Sequence, residues 1–239
     1  MIRKNWESLI KSNQIDVRYV DSSLRDAEII FSPLERGFGI TLGHALRRIL
    51  LSSLQGSAIC SLKIDSALHE FTTIPGVLED VTEVVLNLKK VSVKCFSEFP
   101  KKVKLVAQGP GLVYAKDIQS TSEVEILDPD AFICTLDKGA NLNIELTVKT
   151  GKGYVPAHLH MDEDRPIGLI PIDAVFTPVK RVDYRVEQTR VGQRTDYDCL
   201  KMRIVTDGSL KPEDAVSCAA RIIQDQLSQF VTFADDVDR

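Results

Sequence analysis

Two long amphipathic stretches, one near each end of the chain, constrain the fold more than any other feature. The first, residues 41–54, carries Leu42, Ala45, Leu46, Ile49, Leu50 and Leu54 at i, i+3, i+4, i+7, i+8 and i+12, one apolar stripe of a helix, with Gly56 as a stop. The second, residues 212–230, opens on Pro212 with Glu213 and Asp214 behind it, the residues a helix N-terminus favours. Its stripe is Ala215, Val216, Ala219, Ile222, Ile223, Leu227, Phe230 and Val231. Between these helices the pattern is mostly that of short strands, at 58–64, 91–96, 103–107, 113–114, 124–127, 132–136 and 142–148, separated by Gly, Pro and Asp. One helical pattern, 77–89, interrupts them, and 151–153 and 163–168 read as loops. Further strands are expected at 16–20, 27–31, 176–187 and 201–206. The economical architecture is α+β with two domains. Residues 1–56 and 179–239 form one discontinuous domain, and 57–178 form an inserted β-rich domain.

Composition narrows the function. Lys plus Arg number 30 against 34 Asp plus Glu, a net charge of −4. A free-standing nucleic-acid module needs a basic excess to neutralise phosphates, so direct DNA binding is disfavoured. The apolar fraction of 44% suits a packed protein, and 6% aromatics leave the core to Leu, Ile, Val and Ala. No apolar run reaches the length of about 18 residues that a membrane helix needs. The first 14 residues, with Arg3, Lys4, Glu7 and Lys11, lack the apolar core of a signal peptide. Cys60, Cys95, Cys134, Cys199 and Cys218 form no C-x-x-C pair and read as free thiols of a reducing cytoplasm.

Several constellations invite a chemical reading. Gly37-x-Gly39-x-x-x-Gly43 lies between a strand and a helix, with Asp65 about 20 residues on, which suggests a dinucleotide-binding oxidoreductase. The chain does not continue in βαβ units, so a tight strand-to-helix turn is the simpler reading. His158-x-His160, followed by Asp162, Glu163 and Asp164, could serve a metal, but a strand places only the two imidazoles together and a site needs three or four ligands. His69 and Glu70 are adjacent and would point to opposite faces of a strand. Gly151-Lys152-Gly153 lacks the spacing of a phosphate loop. No catalytic residue, cofactor or metal is expected. On the first helix His44, Arg47, Arg48 and Leu51 lie opposite the apolar stripe, and an apolar anchor beside arginine is a common interface composition.

The run Pro33-Leu34-Glu35-Arg36-Gly37-Phe38-Gly39-Ile40-Thr41-Leu42-Gly43-His44-Ala45-Leu46-Arg47-Arg48-Ile49-Leu50-Leu51-Ser52-Ser53 closely resembles the signature of the bacterial RNA polymerase alpha subunit. Leu68-His69-Glu70, Leu86-Asn87-Leu88-Lys89, Gly151 to Ala157, Glu163 to Gly168 and Val191 to Asp196 agree with it, in order, over nearly the whole chain. The resemblance covers the family's N-terminal dimerisation and assembly region. It implies a non-catalytic, cytoplasmic scaffold for transcription that homodimerises and recruits the beta and then the beta-prime subunit. The large subunits would carry the nucleotidyltransferase chemistry and its magnesium. Leu42, Leu46, Ile49, Leu50, Ile222, Ile223, Leu227 and Phe230 would form the dimer interface and core. Arg36, Arg48 and Leu51 would contact beta, and Lys89 and Ile172 beta-prime. It also implies a DNA-contacting C-terminal domain beyond Arg239, so that these residues themselves touch no DNA.

Overall fold

The computed structural model describes residues 9–10, 14–67, 69–160 and 166–235. In chain order these form β1 (Gln14–Tyr19), β2 (Asp26–Leu34), α1 (Phe38–Ser52), β3 (Gln55–Ile64), α2 (Val81–Leu88), β4 (Val93–Cys95), β5 (Lys101–Gln108), β6 (Gly111–Tyr114), β7 (Val124–Ile126), β8 (Phe132–Leu136), β9 (Asn141–Lys152), β10 (Tyr154–Val155), β11 (Leu169–Pro171), β12 (Ala174–Val175), β13 (Val179–Val191), β14 (Arg194–Thr206) and α3 (Pro212–Asp235). Strand makes up 46% and helix 23%, a mixed α+β fold. The chain divides into two compact units, one of Met1–Leu54 with Val179–Arg239, the other of Gln55–Pro178.

The first unit is an antiparallel sheet in the order β1-β2-β14-β13, built around the long β13–β14 hairpin. Leu200, Met202 and Ile204 alternate along β14 and point to one face, where they meet Leu46 and Leu50 of α1, Leu54 just after it, and Ala215, Val216 and Ala219 of α3. Lys201 and Arg203 alternate with them, and so lie on the opposite face. Lys201 sits directly across from Arg185, a like-charge pair that alone destabilises a sheet. Glu187 answers both, at 2.6 Å from Lys201 and 3.3 Å from Arg185, and Glu28 lies 3.1 Å from Arg185. Pairs this exposed offset the like-charge contact but add little stability of their own.

The second unit centres on the antiparallel sheet β11-β3-β9-β5. Leu62 and Ile64 of β3, Ile144, Leu146 and Val148 of β9, and Val103 and Leu105 of β5 build its core with Val81, Val84 and Leu88 of α2. That helix starts four residues later than its apolar period suggests. Val77 is taken by a bridge to Leu136, and Leu78 N–H donates to the carbonyl oxygen of Thr135. Asp80 then caps the helix, its Oδ1 accepting from Glu83 N–H at 2.8 Å. Asp80→Ala is expected to cost about 1 kcal/mol. A lower urea midpoint at unchanged slope checks it, and an unmoved midpoint refutes the cap.

The expected loop at 151–153 is strand as far as Lys152. Gly56 and Gly151 face each other across β3 and β9, and the pair of missing side chains makes a slot for Phe176. A Cβ on Gly151 would lie 2.8 Å from the Phe176 ring, and one on Gly56 would collide with the Phe176 carbonyl oxygen.

Candidate functional site

Helix α1 carries the densest set of expected functional residues. It begins at Phe38, three residues before its apolar stripe predicts. Gly37, the N-cap, has φ of 89°, a left-handed conformation that glycine adopts without strain, and it has no side chain to cap the helix. A distant carboxylate does so instead. Oδ2 of Asp198, on β14, accepts from Gly37 N–H at 2.8 Å and from Gly39 N–H at 3.0 Å. Asp198 is buried, and its charge lies at the positive end of the helix dipole.

This geometry overturns the dinucleotide reading of Gly37, Gly39 and Gly43. The amides a pyrophosphate would use are taken by Asp198. Gly39 and Gly43 serve close packing: a Cβ on Gly39 would stand 2.7 Å from Val186, and one on Gly43 would stand 2.7 Å from Tyr184. The flanking sheet is antiparallel, not doubly wound, and Asp65 belongs to the second unit, accepting from Asn143 Nδ2 at 2.7 Å.

Opposite the buried stripe, Ile40, His44, Arg48 and Leu51 follow one another at i, i+4, i+8 and i+11, all exposed. Arg36 is exposed just before the helix. Arg47 differs from its neighbour: its Nε donates to the carbonyl oxygen of Val182 at 3.1 Å, so it ties α1 to β13.

The eight expected interface and core residues grade from inside to outside. Leu46 and Leu50 are 8% and 0% exposed; Leu42, Ile49, Ile222 and Ile223 are half-buried. Leu227 and Phe230 are 56% and 68% exposed, and Val231 beside them is exposed as well. The first half of α3 thus packs on its own unit, while its second half holds the same apolar period out to water. There Ile223, Leu227 and Val231 join Phe31, Leu34, Leu42 and Leu46 around an open apolar groove of about 690 Å³.

In the second unit, Lys89 closes α2 and its Nζ lies 3.1 Å from Asp173 Oδ2. Asp173 also accepts from Ala157 N–H at 2.9 Å, and that bond, then the one from Lys89, holds its carboxyl below the usual carboxylate range. The expectation that Ile172 offers a contact surface needs correction. Its side chain is 2% exposed, within the hydrophobic core, and its N–H donates to the carbonyl oxygen of Cys60 at 2.8 Å. What stands exposed beside it is the Lys89–Asp173 pair.

His158 and His160 lie in a 3-10 turn, Ala157–His160, and not in a strand. His160 sets its ring edge-on to Phe176 at 6.0 Å with Nε2 buried and without a hydrogen-bond partner; burial draws its pKa below the usual imidazole value. Asp162, Glu163 and Asp164 lie outside the described residues. Among those described, no three His, Cys, Asp or Glu side chains group as metal ligands, and no helix is long and apolar enough to cross a membrane. The five cysteines are free, and burial pushes the Cys60 and Cys134 thiols up to about 11 and 12, so they remain protonated at neutral pH. Sequence reasoning missed Asp173 and Asp198, since each acts on residues remote in the chain.

Residues 62–177 match the family model of the RNA polymerase Rpb3/RpoA insert domain. The match covers nearly all of the second unit, which is thus similar to an RNA polymerase insert domain. That match supports an RNA polymerase alpha-type subunit.

Proposed function

We propose that this polymerase subunit is the assembly scaffold: it homodimerises through α1 and α3, then recruits the beta and beta-prime subunits in the cytoplasm. The observation that carries this reading is the second half of α3. An apolar stripe over Ile223, Leu227, Phe230 and Val231, continuous with an apolar groove, calls for a partner, because a helix holds such a stripe stably only when it is covered. Each fully buried Leu, Val or Phe is worth about 1.5–3 kcal/mol. A second copy supplies an identical stripe, and a two-fold axis covers both at once.

Arg36, Arg48 and Leu51 form the face for beta, an apolar anchor rimmed by guanidinium groups. Lys89 with Asp173, over the buried Ile172, forms the face for beta-prime. Nucleotide addition then belongs to the large subunits, which the dimer brings together. An isolated dimer is symmetric, so the choice between partners arises when the first large subunit binds. Co-expression with beta followed by size-exclusion chromatography tests the reading, with a two-to-one complex expected. Arg48→Ala should leave the dimer intact in sedimentation and weaken beta capture by about tenfold. Loss of the dimer with beta capture intact would reverse the assignment of faces.

A further inference from the structure

Helix α1 owes its first turn to a residue on the other side of the sequence. Gly37 cannot cap it, and among its opening amides Gly37 N–H and Gly39 N–H both end on one carboxylate oxygen of Asp198. Asp198 follows the tip of the β13–β14 hairpin. Within that tip, Arg194 lies 3.1 Å from Asp196 and stacks over Tyr197 at 5.1 Å. The backbone beside Arg36 is thus anchored by the Asp198 bond to the next residue, Gly37.

We propose that Asp198 is a positioning residue for subunit docking, fixing the turn that carries Arg36 at the mouth of α1. The inference rests on the reading of Arg36 and Arg48 as the beta-binding face. Asp198 is buried and has little surface of its own to offer a partner; it acts by holding the Glu35–Gly39 turn in one conformation before beta arrives, which spares the ordering cost at association.

The test is a double-mutant cycle on the full chain, read as the dissociation constant for its beta subunit. Asp198→Ala should weaken binding by about tenfold, the scale of one charge-assisted hydrogen bond, with dimerisation unchanged. Asp198→Asn, which keeps an acceptor oxygen in place, should recover all but about threefold. In an Arg36→Ala background, Asp198→Ala should cost less than about twofold more, since there is no longer a guanidinium to position. Additive losses, or full beta binding by a folded Asp198→Ala dimer, overturn the proposal. If Asp198→Ala fails to fold, the cycle is run with Asp198→Asn, where additivity again overturns it. Should Arg48→Ala weaken beta binding and Arg36→Ala not, positioning through Arg36 is wrong while the docking face stands. Should neither arginine matter, the docking face itself falls, and this inference with it.

Discussion

Leu227→Asp is expected to turn the dimer into a monomer without unfolding the protomer. Leu227 is more than half exposed, so in a lone chain a carboxylate there stays in water and costs little. In the proposed dimer it sits mid-stripe between Ile223 and Phe230, where a second copy would cover it. Burying an unpaired carboxylate costs several kcal/mol, and a two-fold axis imposes that cost twice. At about 1.4 kcal/mol per decade the dissociation constant should rise by roughly 10⁴ or more. Sedimentation equilibrium reads the mass, and circular dichroism reads the fold. A variant still fully dimeric at micromolar concentration would move the dimer contact off this stripe. Leu46→Asp provides the contrast: Leu46 belongs to the protomer's own core, so that variant should lose fold and dimer together.

That contrast marks where the sequence was legible. Periodicity identified α3, and the residues of its stripe, because a 3.6-residue repeat is a local property of the chain. It could not divide the stripe into a half that packs on its own sheet and a half that faces out, since both halves repeat alike. The start of α1 was misplaced for a related reason. Its cap is Asp198, and nothing near Gly37 announces a partner so far along the chain. The three glycines invited a phosphate-binding reading for want of the sheet behind them. Once Val186 and Tyr184 are in place, Gly39 and Gly43 are required by packing. Ile172 erred in the opposite sense. The resemblance carries a position but not its burial, and the side chain that meets solvent there is Asp173, drawn toward Lys89. The family itself was legible because its signature is contiguous: the turn, α1 and its two faces all lie within residues 33–53.

Gly56→Ala should damage the insert domain more than Gly151→Ala, although the two glycines are direct neighbours across one strand pair. Both border Phe176, which is buried and donates its N–H to the carbonyl oxygen of Gly153 at 2.8 Å. At Gly151 the new methyl would meet the Phe176 ring, and a ring can shift by a few tenths of an ångström or tilt; the expected cost is about 1 kcal/mol. At Gly56 it would meet a backbone carbonyl oxygen, and no rotamer relieves that. Either β3 or the segment after β12 must move, and that segment carries the Phe176–Gly153 hydrogen bond which closes the slot. Overpacking of this kind costs about 3 kcal/mol, the upper end of the usual range. For a chain of this size the melting temperature should fall by roughly 10 °C, against about 3 °C for Gly151→Ala. Hydrogen exchange should show the loss of protection concentrated on β10, β12 and the Phe176 amide. Equal shifts for the two variants would mean that the backbone yields as readily as the ring, and that the slot does not hold this edge of the sheet in register.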